Sequence, residues 1–278
     1  MILKSNFSRR FAWLAIYVTV AATALSCASG LGFNLFSDSD DVQLGKELDQ
    51  EIRKNPQEYP ILKNAPEVKA YVVKIAGKVL SSPDVKKRGV FPYQVEVVHD
   101  DSTINAFATP GGYIYVYTGL IRMLDNEASL AGVLGHEIAH AELRHATKRI
   151  SSYYGINVLL SIVLGQNPSQ FAEIAANLFT GLGFLANSRS DESQSDEYSI
   201  RYLDDTEYYP GAIRFFFEKI LEEKKSGSGT VERLLSTHPM PEDRVAHVEE
   251  LLKQLGSPEP SEGNLFAQRY ERFKEMLP

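Results

Sequence analysis

The sequence predicts an α+β domain, a mostly helical body with a small antiparallel sheet beside one central helix. Three observations carry this. Apolar residues recur at helical spacing through most of the chain after residue 38. Two short β-branched and aromatic pieces flank the turn signal Pro110-Gly111-Gly112. The stretch His136-Glu137-Ile138-Ala139-His140 lies inside an apolar, helix-favouring run. Residues four apart share one face of a helix, so the two imidazoles point the same way, one turn apart. That spacing can hold a zinc ion, with Glu137 beside it as a base.

Composition bounds what surrounds this motif. The 278 residues are 44% hydrophobic and 23% charged, which fits one catalytic domain with helical extensions. A net charge of -7 argues against an electrostatic nucleic-acid partner, and none is expected. The single cysteine rules out an intramolecular disulfide and a multi-cysteine zinc ribbon. One zinc ion held by histidine and carboxylate is the expected cofactor.

The first residues read as a targeting segment. Lys4, Arg9 and Arg10 precede an uncharged apolar stretch from Phe11 to Leu25, and small residues follow. Ala24-Leu25-Ser26-Cys27 resembles a bacterial lipobox, although Ala24 stands where leucine is preferred. Residues 1–27 are thus expected to be a signal peptide with Cys27 as lipid anchor. A conventionally cleaved signal and an uncleaved anchor are the alternatives. The apolar stretch would span only about 22 Å as a helix, against roughly 30 Å of hydrocarbon. All three readings place the folded part outside the cytoplasm, and the lipobox reading makes it periplasmic and lipid-anchored to the envelope membrane.

In chain order, Asp38 to Lys54 and Ala65 to Ser81 are expected helices, and Val90 to Val98 is a strand candidate with Gln94 and Glu96 on a wet face. Asn105 to Tyr117 reads as a hairpin. Its functional reading is an edge strand against which an extended peptide can hydrogen-bond, with Asn105, Ala106 and Tyr113 as candidate substrate-binding residues. The helix carrying the two histidines starts after a cap at Asp125 or Asn126 and is expected to run to about Arg149. Gly132 and Gly135 within it suggest close approach by another element, with the sheet as the candidate. At about 100° per residue, His145 lies about 180° from His136, so it reads as a surface or second-layer residue. Two apolar stretches, Ile156 to Gly165 and Phe171 to Ala186, read as buried helices or as a surface leaning on membrane.

The third ligand must come from elsewhere. Glu192 and Asp196 are four apart in a polar stretch that continues at helical spacing. A carboxylate there can complete a two-histidine, one-glutamate site and leave the fourth position for water. Asp196 could orient a ligand histidine by accepting its other ring proton. Further on, Gly211 to Lys225 and Glu242 to Leu255 are expected helices. Ser236 to Pro241 reads as rigid and extended, with His238 inside it. Residues 256–278 read as a linker and a C-terminal amphipathic helix.

Four motifs in order resemble the bacterial HtpX/BepA-type zinc metallopeptidases (metallopeptidase family 48, gluzincins), to which the mitochondrial Oma peptidase also belongs. They are Asn105 to Gly112, His136 to His140, Ser188-Arg189 with Glu192 and Asp196, and Ser236 to Pro239 with Arg244. The resemblance implies a zincin-like metallopeptidase domain over 38–255. It implies Glu192 as third zinc ligand beside His136 and His140, and Glu137 as base. It also implies Asp196 as proton donor, against the orienting role that geometry favours. His238 would face the site, either stabilising the oxyanion or occupying the open zinc position. The implied activity is endopeptidase cleavage of misfolded or stalled envelope proteins. The alternative is a zinc-bearing chaperone or assembly factor for outer-membrane proteins with a mostly closed site.

Overall fold

A computed structural model describes residues 34–153, 186–226, 230–239 and 244–278. The targeting segment with Cys27, and the two apolar stretches from residue 156 as far as residue 185, lie outside the described residues. Among the described residues, no helix is long and apolar enough to cross a membrane.

The chain opens with α1 (Asp38–Lys54), capped by a reciprocal Ser37–Asp40 box, and α2 (Pro66–Leu80), whose proline sits in the first turn. Val68, Val72, Ile75, Ala76 and Val79 of α2 are buried on one face, as the spacing predicts. Three strands follow: β1 (Gln94–Val98), β2 (Ala106–Thr109) and β3 (Tyr113–Tyr117), in the order β1-β3-β2. The α+β organisation is as expected, with two corrections to the sheet. β2 and β3 form the antiparallel hairpin, but β1 runs parallel to β3, so the sheet is mixed. β1 is also shorter than expected. Pro92 offers no amide proton and Tyr93 has a left-handed φ of 40°, so pairing starts only at Gln94. Glu96 is buried rather than wet, because Arg53 and Lys69 both meet its carboxylate.

Beyond α3 (Thr118–Met123) runs α4 (Glu127–Glu142), which carries His136 and His140 and is buried along its whole length. Asn126 caps it, accepting from the Ser129 amide. The expected continuation to Arg149 does not occur. Arg144 takes a left-handed φ of 59°, and a new helical stretch covers residues 145–153. Asp41 accepts from Nε and Nη2 of Arg144 at 2.7 and 2.9 Å and secures that break to α1.

Helices, not the sheet, approach the α4 glycines. α5 (Arg189–Asp204) packs along α4, and α6 (Ile213–Ser226) crosses it. A Cβ on Gly132 would lie 2.7 Å from the Ile213 nitrogen, and one on Gly135 would lie 2.8 Å from Ser199 Oγ. Ser199 Oγ donates to the Gly132 carbonyl at 2.8 Å, bonding the two helices at closest approach.

α7 (Glu232–Thr237) takes in Ser236 and Thr237, so the extended conformation expected for that stretch begins only at His238. α8 (Arg244–Leu255) follows. The C-terminal residues form α9 (Glu262–Leu265) and α10 (Ala267–Lys274), parted at Phe266, whose φ is 55°. Tyr270 and Phe273 are buried in the main core. Arg269 of α10 donates Nε and Nη2 to the buried Glu127 carboxylate, which also accepts from the Tyr71 and Tyr208 hydroxyls. The C-terminal helix is thereby fastened to the first turn of α4.

Burial raises the Glu127 pKa, but Arg269 and the two tyrosines outweigh it and hold the carboxyl below its ordinary value. A depressed folded pKa stabilises above the unfolded value and is lost as pH falls through the folded one. Glu127→Gln, which loses charge-assisted hydrogen bonds to a partly exposed arginine, is therefore expected to cost about 2 kcal/mol at pH 7. Denaturant unfolding should show the gap to wild type closing below about pH 4.

Candidate metal centre

One turn apart on α4, His136 and His140 bring their Nε2 atoms to 2.9 Å of each other. α5 supplies Glu192, whose Oε2 and Oε1 lie 3.4 Å from His136 Nε2 and 3.3 Å from His140 Nε2. Ser188 caps α5 and shares a reciprocal capping box with Asp191, which sets the helix start one turn before Glu192. Tetrahedral zinc with bonds of about 2.0–2.1 Å sets its donor atoms about 3.3 Å apart, so these three side chains fit the ion. The other ring nitrogens are already engaged. His136 Nδ1 donates to Asp196 Oδ1 at 2.8 Å, and His140 Nδ1 pairs with His145 Nδ1 at 2.9 Å. Asp196 accepts in addition from Arg244, so it takes the His136 proton at Nδ1 and leaves the Nε2 lone pair free for a metal.

His238 completes the group. Its Nδ1 lies 3.1 Å from Glu192 Oε1 and its Nε2 3.7 Å from Glu137 Oε1. Donor atoms of His136, His140, Glu192 and His238 all lie within 4.8 Å of one another, and all four residues are buried. This cluster can hold one zinc ion. Glu137 points into the same space, and among the described residues its Oε2 has no hydrogen-bond partner.

The electrostatics follow from burial and pairing. Burial opposes charge on His136, but the Asp196 and Glu192 carboxylates outweigh it and push the imidazole up to about 9. Burial also holds His140 well below its usual value, helped by the neighbouring histidines. Glu192 resists its burial through His238, His136 and His140 and stays ionised. Glu137 is raised, chiefly by burial.

An open cleft passes over the centre. The edge strand β2 forms one wall, from Asn105 to Pro110, and Glu137 and His140 lie on the floor. Asn105 is buried at one end of this wall, its Oδ1 without a hydrogen-bond partner among the described residues, and Ala106 lines a smaller apolar chamber with His136 and Glu137. Tyr113 does not line the cleft. It belongs to an apolar cluster with Ile52, Tyr59, Tyr115 and Tyr117, because β3 is the central strand.

Two residues escaped the sequence reading. Asn187 Nδ2 lies 3.3 Å from His140 Nε2 and 3.2 Å from His238 Nδ1, and only the neighbouring Ser188 cap hinted at its position. Arg244 donates Nη1 to Glu192 and Nε and Nη2 to Asp196, a role its place in a motif did not reveal. His145 is buried in a second layer, not on the surface, and its Nε2 faces Asp191 Oδ1 at 3.7 Å.

The model of Peptidase family M48 matches residues 63–252, most of the chain described above. The chain belongs to this family. It is 29% identical over 231 residues to the beta-barrel assembly-enhancing protease of Escherichia coli, covering 79% of this chain and 46% of that protein. It is 31% identical over 188 residues to the protein of the same name from Yersinia pestis, covering 63% and 38%. The mitochondrial metalloendopeptidase OMA1 of Schizosaccharomyces pombe is 26% identical over 186 residues, covering 66% and 53%. The match thus spans about half or less of the length of these relatives.

His145 holds the His140 ring from behind, so its loss should loosen the metal without unfolding the domain. His145→Ala is expected to weaken zinc binding about 10- to 100-fold in a chelator competition titration. His145→Gln, which can still present a hydrogen-bonding group, should recover part of that loss.

Proposed function

We propose that this protein is a zinc endopeptidase of the bacterial cell envelope that cleaves misfolded or stalled polypeptides. The observation that carries the reading is the convergence of His136, His140, Glu192 and an unpartnered Glu137 oxygen on the floor of a cleft walled by an edge strand. Relatives named for beta-barrel assembly enhancement, and the lipobox-like Cys27, support the envelope setting and a lipid-anchored, periplasmic location.

In this reading His136, His140 and Glu192 hold the zinc. Bound there, the metal supplies Lewis-acid polarisation of the scissile carbonyl and acidifies the attacking water. An extended substrate adds to the free side of β2 near Asn105 and Ala106. Glu137 takes the proton from water and returns it to the leaving amine. Burial, which raises its carboxyl, suits a group that must hold a proton between those two events. Asp196 accepts the Nδ1 proton of His136 and fixes the ring. Arg244 occupies both Asp196 oxygens, so Asp196 acts through His136 rather than as a proton donor to substrate.

A second reading, a mostly closed site in a chaperone or assembly factor, is favoured by one feature. His238 lies within the ligand set, where it would fill the fourth position and shut the site at rest. On displacement by substrate it would face the oxyanion.

Product mass spectrometry on unfolded outer-membrane proteins tests the proposal. Wild type should generate internal cleavages, and Glu137→Gln should keep one zinc per chain while losing about 100- to 10,000-fold in rate. Equal cleavage by both would sink the mechanism. Should His238 close the site, His238→Ala would raise the initial rate on small peptides, whereas a purely oxyanion-stabilising role predicts a fall of about 100-fold or more.

A further inference from the structure

The cleft is lined by three arginines in a chain whose net charge is -7. Two face carboxylates of the fold. Arg144 is gripped by both oxygens of the buried Asp41 and also donates to the Phe36 carbonyl. Arg149 faces Asp191 at 3.4 Å. Arg233 differs. Its carboxylate partner is Glu58, 3.1 Å away on the rim and 48% exposed. Exposed pairs of this kind contribute little to stability, so a competing carboxylate can replace Glu58 at little cost.

Arg233 is nevertheless held in place. Its guanidinium centre lies 5.0 Å from the ring of Tyr59 and 5.6 Å from that of Tyr117. Nη2 donates to the Tyr59 hydroxyl at 2.7 Å and to Glu58, so among the described residues both hydrogen bonds leave from that one nitrogen. A planar cation positioned against aromatic rings, with further N–H groups to offer, suits bidentate capture of a carboxylate.

Its distance from the metal centre follows from α7. Arg233 lies on α7, five residues before His238, the residue that caps the helix C-terminally, and five helical residues rise about 7.5 Å. Extended peptide advances about 3.3 Å per residue, so that rise corresponds to about two substrate residues. Phe107, which also lines the cleft, packs against the Tyr59 and Tyr117 rings that flank Arg233.

We propose that Arg233 is a specificity residue that binds an aspartate or glutamate side chain of the substrate about two residues from the scissile bond. This rests on the peptidase reading above and adds a substrate class to it. The bland competitor is that Arg233 merely clamps Tyr59. A clamp has no charge preference for substrate, and reversing its charge would not reverse one.

The test uses the zinc-loaded full chain and a set of otherwise identical peptides with Glu, Ala or Lys at each of three positions on either side of the cleaved bond. Wild type should prefer Glu over Lys by about tenfold in kcat/KM at one position, mainly through KM. Arg233→Gln should abolish that preference, and Arg233→Glu should shift it to Lys. Absence of an acidic preference in wild type, or its persistence in Arg233→Gln, overturns the inference. Failure of wild type to cleave any peptide counts against the peptidase reading instead. Binding then decides the inference, by fluorescence anisotropy on Glu137→Gln with and without Arg233→Gln. About tenfold tighter binding of the Glu peptide when Arg233 is present supports it, and equal binding overturns it. Should Arg233→Gln fail to fold in a thermal melt, Arg233→Lys and the wild-type preference still decide, since Lys keeps the charge and should retain part of the discrimination.

Discussion

Two carboxylates one turn apart, Glu192 and Asp196, are completely buried. An isolated ionised carboxylate cannot remain in such a place, since desolvation costs far more than folding supplies. Arg244, itself buried and lying 4.1 Å over the Phe217 ring, contacts both of them. His136 donates to one and His238 lies beside the other. One guanidinium against two carboxylates leaves a negative balance beside the two Nε2 atoms, the same balance that raises the His136 imidazole. That balance is what a divalent cation satisfies. The positions of α4, α5 and α8 relative to each other all answer to this one requirement.

Close packing provides the precision. α4 and α5 approach until Ser199 bonds the Gly132 carbonyl, which is possible only because Gly132 and Gly135 lack side chains. A methyl at Gly132 would meet backbone, which cannot swing aside as a side-chain end can. At the far end of α4, the left-handed Arg144 and its Asp41 partner turn the chain so that His145 returns onto His140. Glu127 and Arg269 tie the near end to the C-terminal helix. The helix bearing the ligands is thus restrained at both ends and along its length.

Much of this was legible beforehand. Helical periodicity placed α1 at its observed bounds, and the four-residue spacings of His136/His140 and Glu192/Asp196 put each pair on one face because the α-helix has that period wherever it forms. The features that were missed depend on partners distant in sequence. Nothing local to Arg144 announces a left-handed break, since its partner Asp41 lies 103 residues away. Tyr113 was misplaced because a strand's alternation does not say which strand is central. Glu96 looked wet until Arg53 and Lys69 covered it. Asn187 has no recognisable spacing to either histidine it touches.

The central claim is that Glu192 closes the metal site that His136 and His140 begin. Anomalous diffraction at the zinc edge on crystals of the zinc-loaded protein tests it most directly. The account predicts one zinc peak bonded to Nε2 of both histidines and to a Glu192 oxygen, at about 2.0–2.2 Å. A zinc held by the two histidines with Glu192 turned away, or a metal seated elsewhere in the fold, would contradict it.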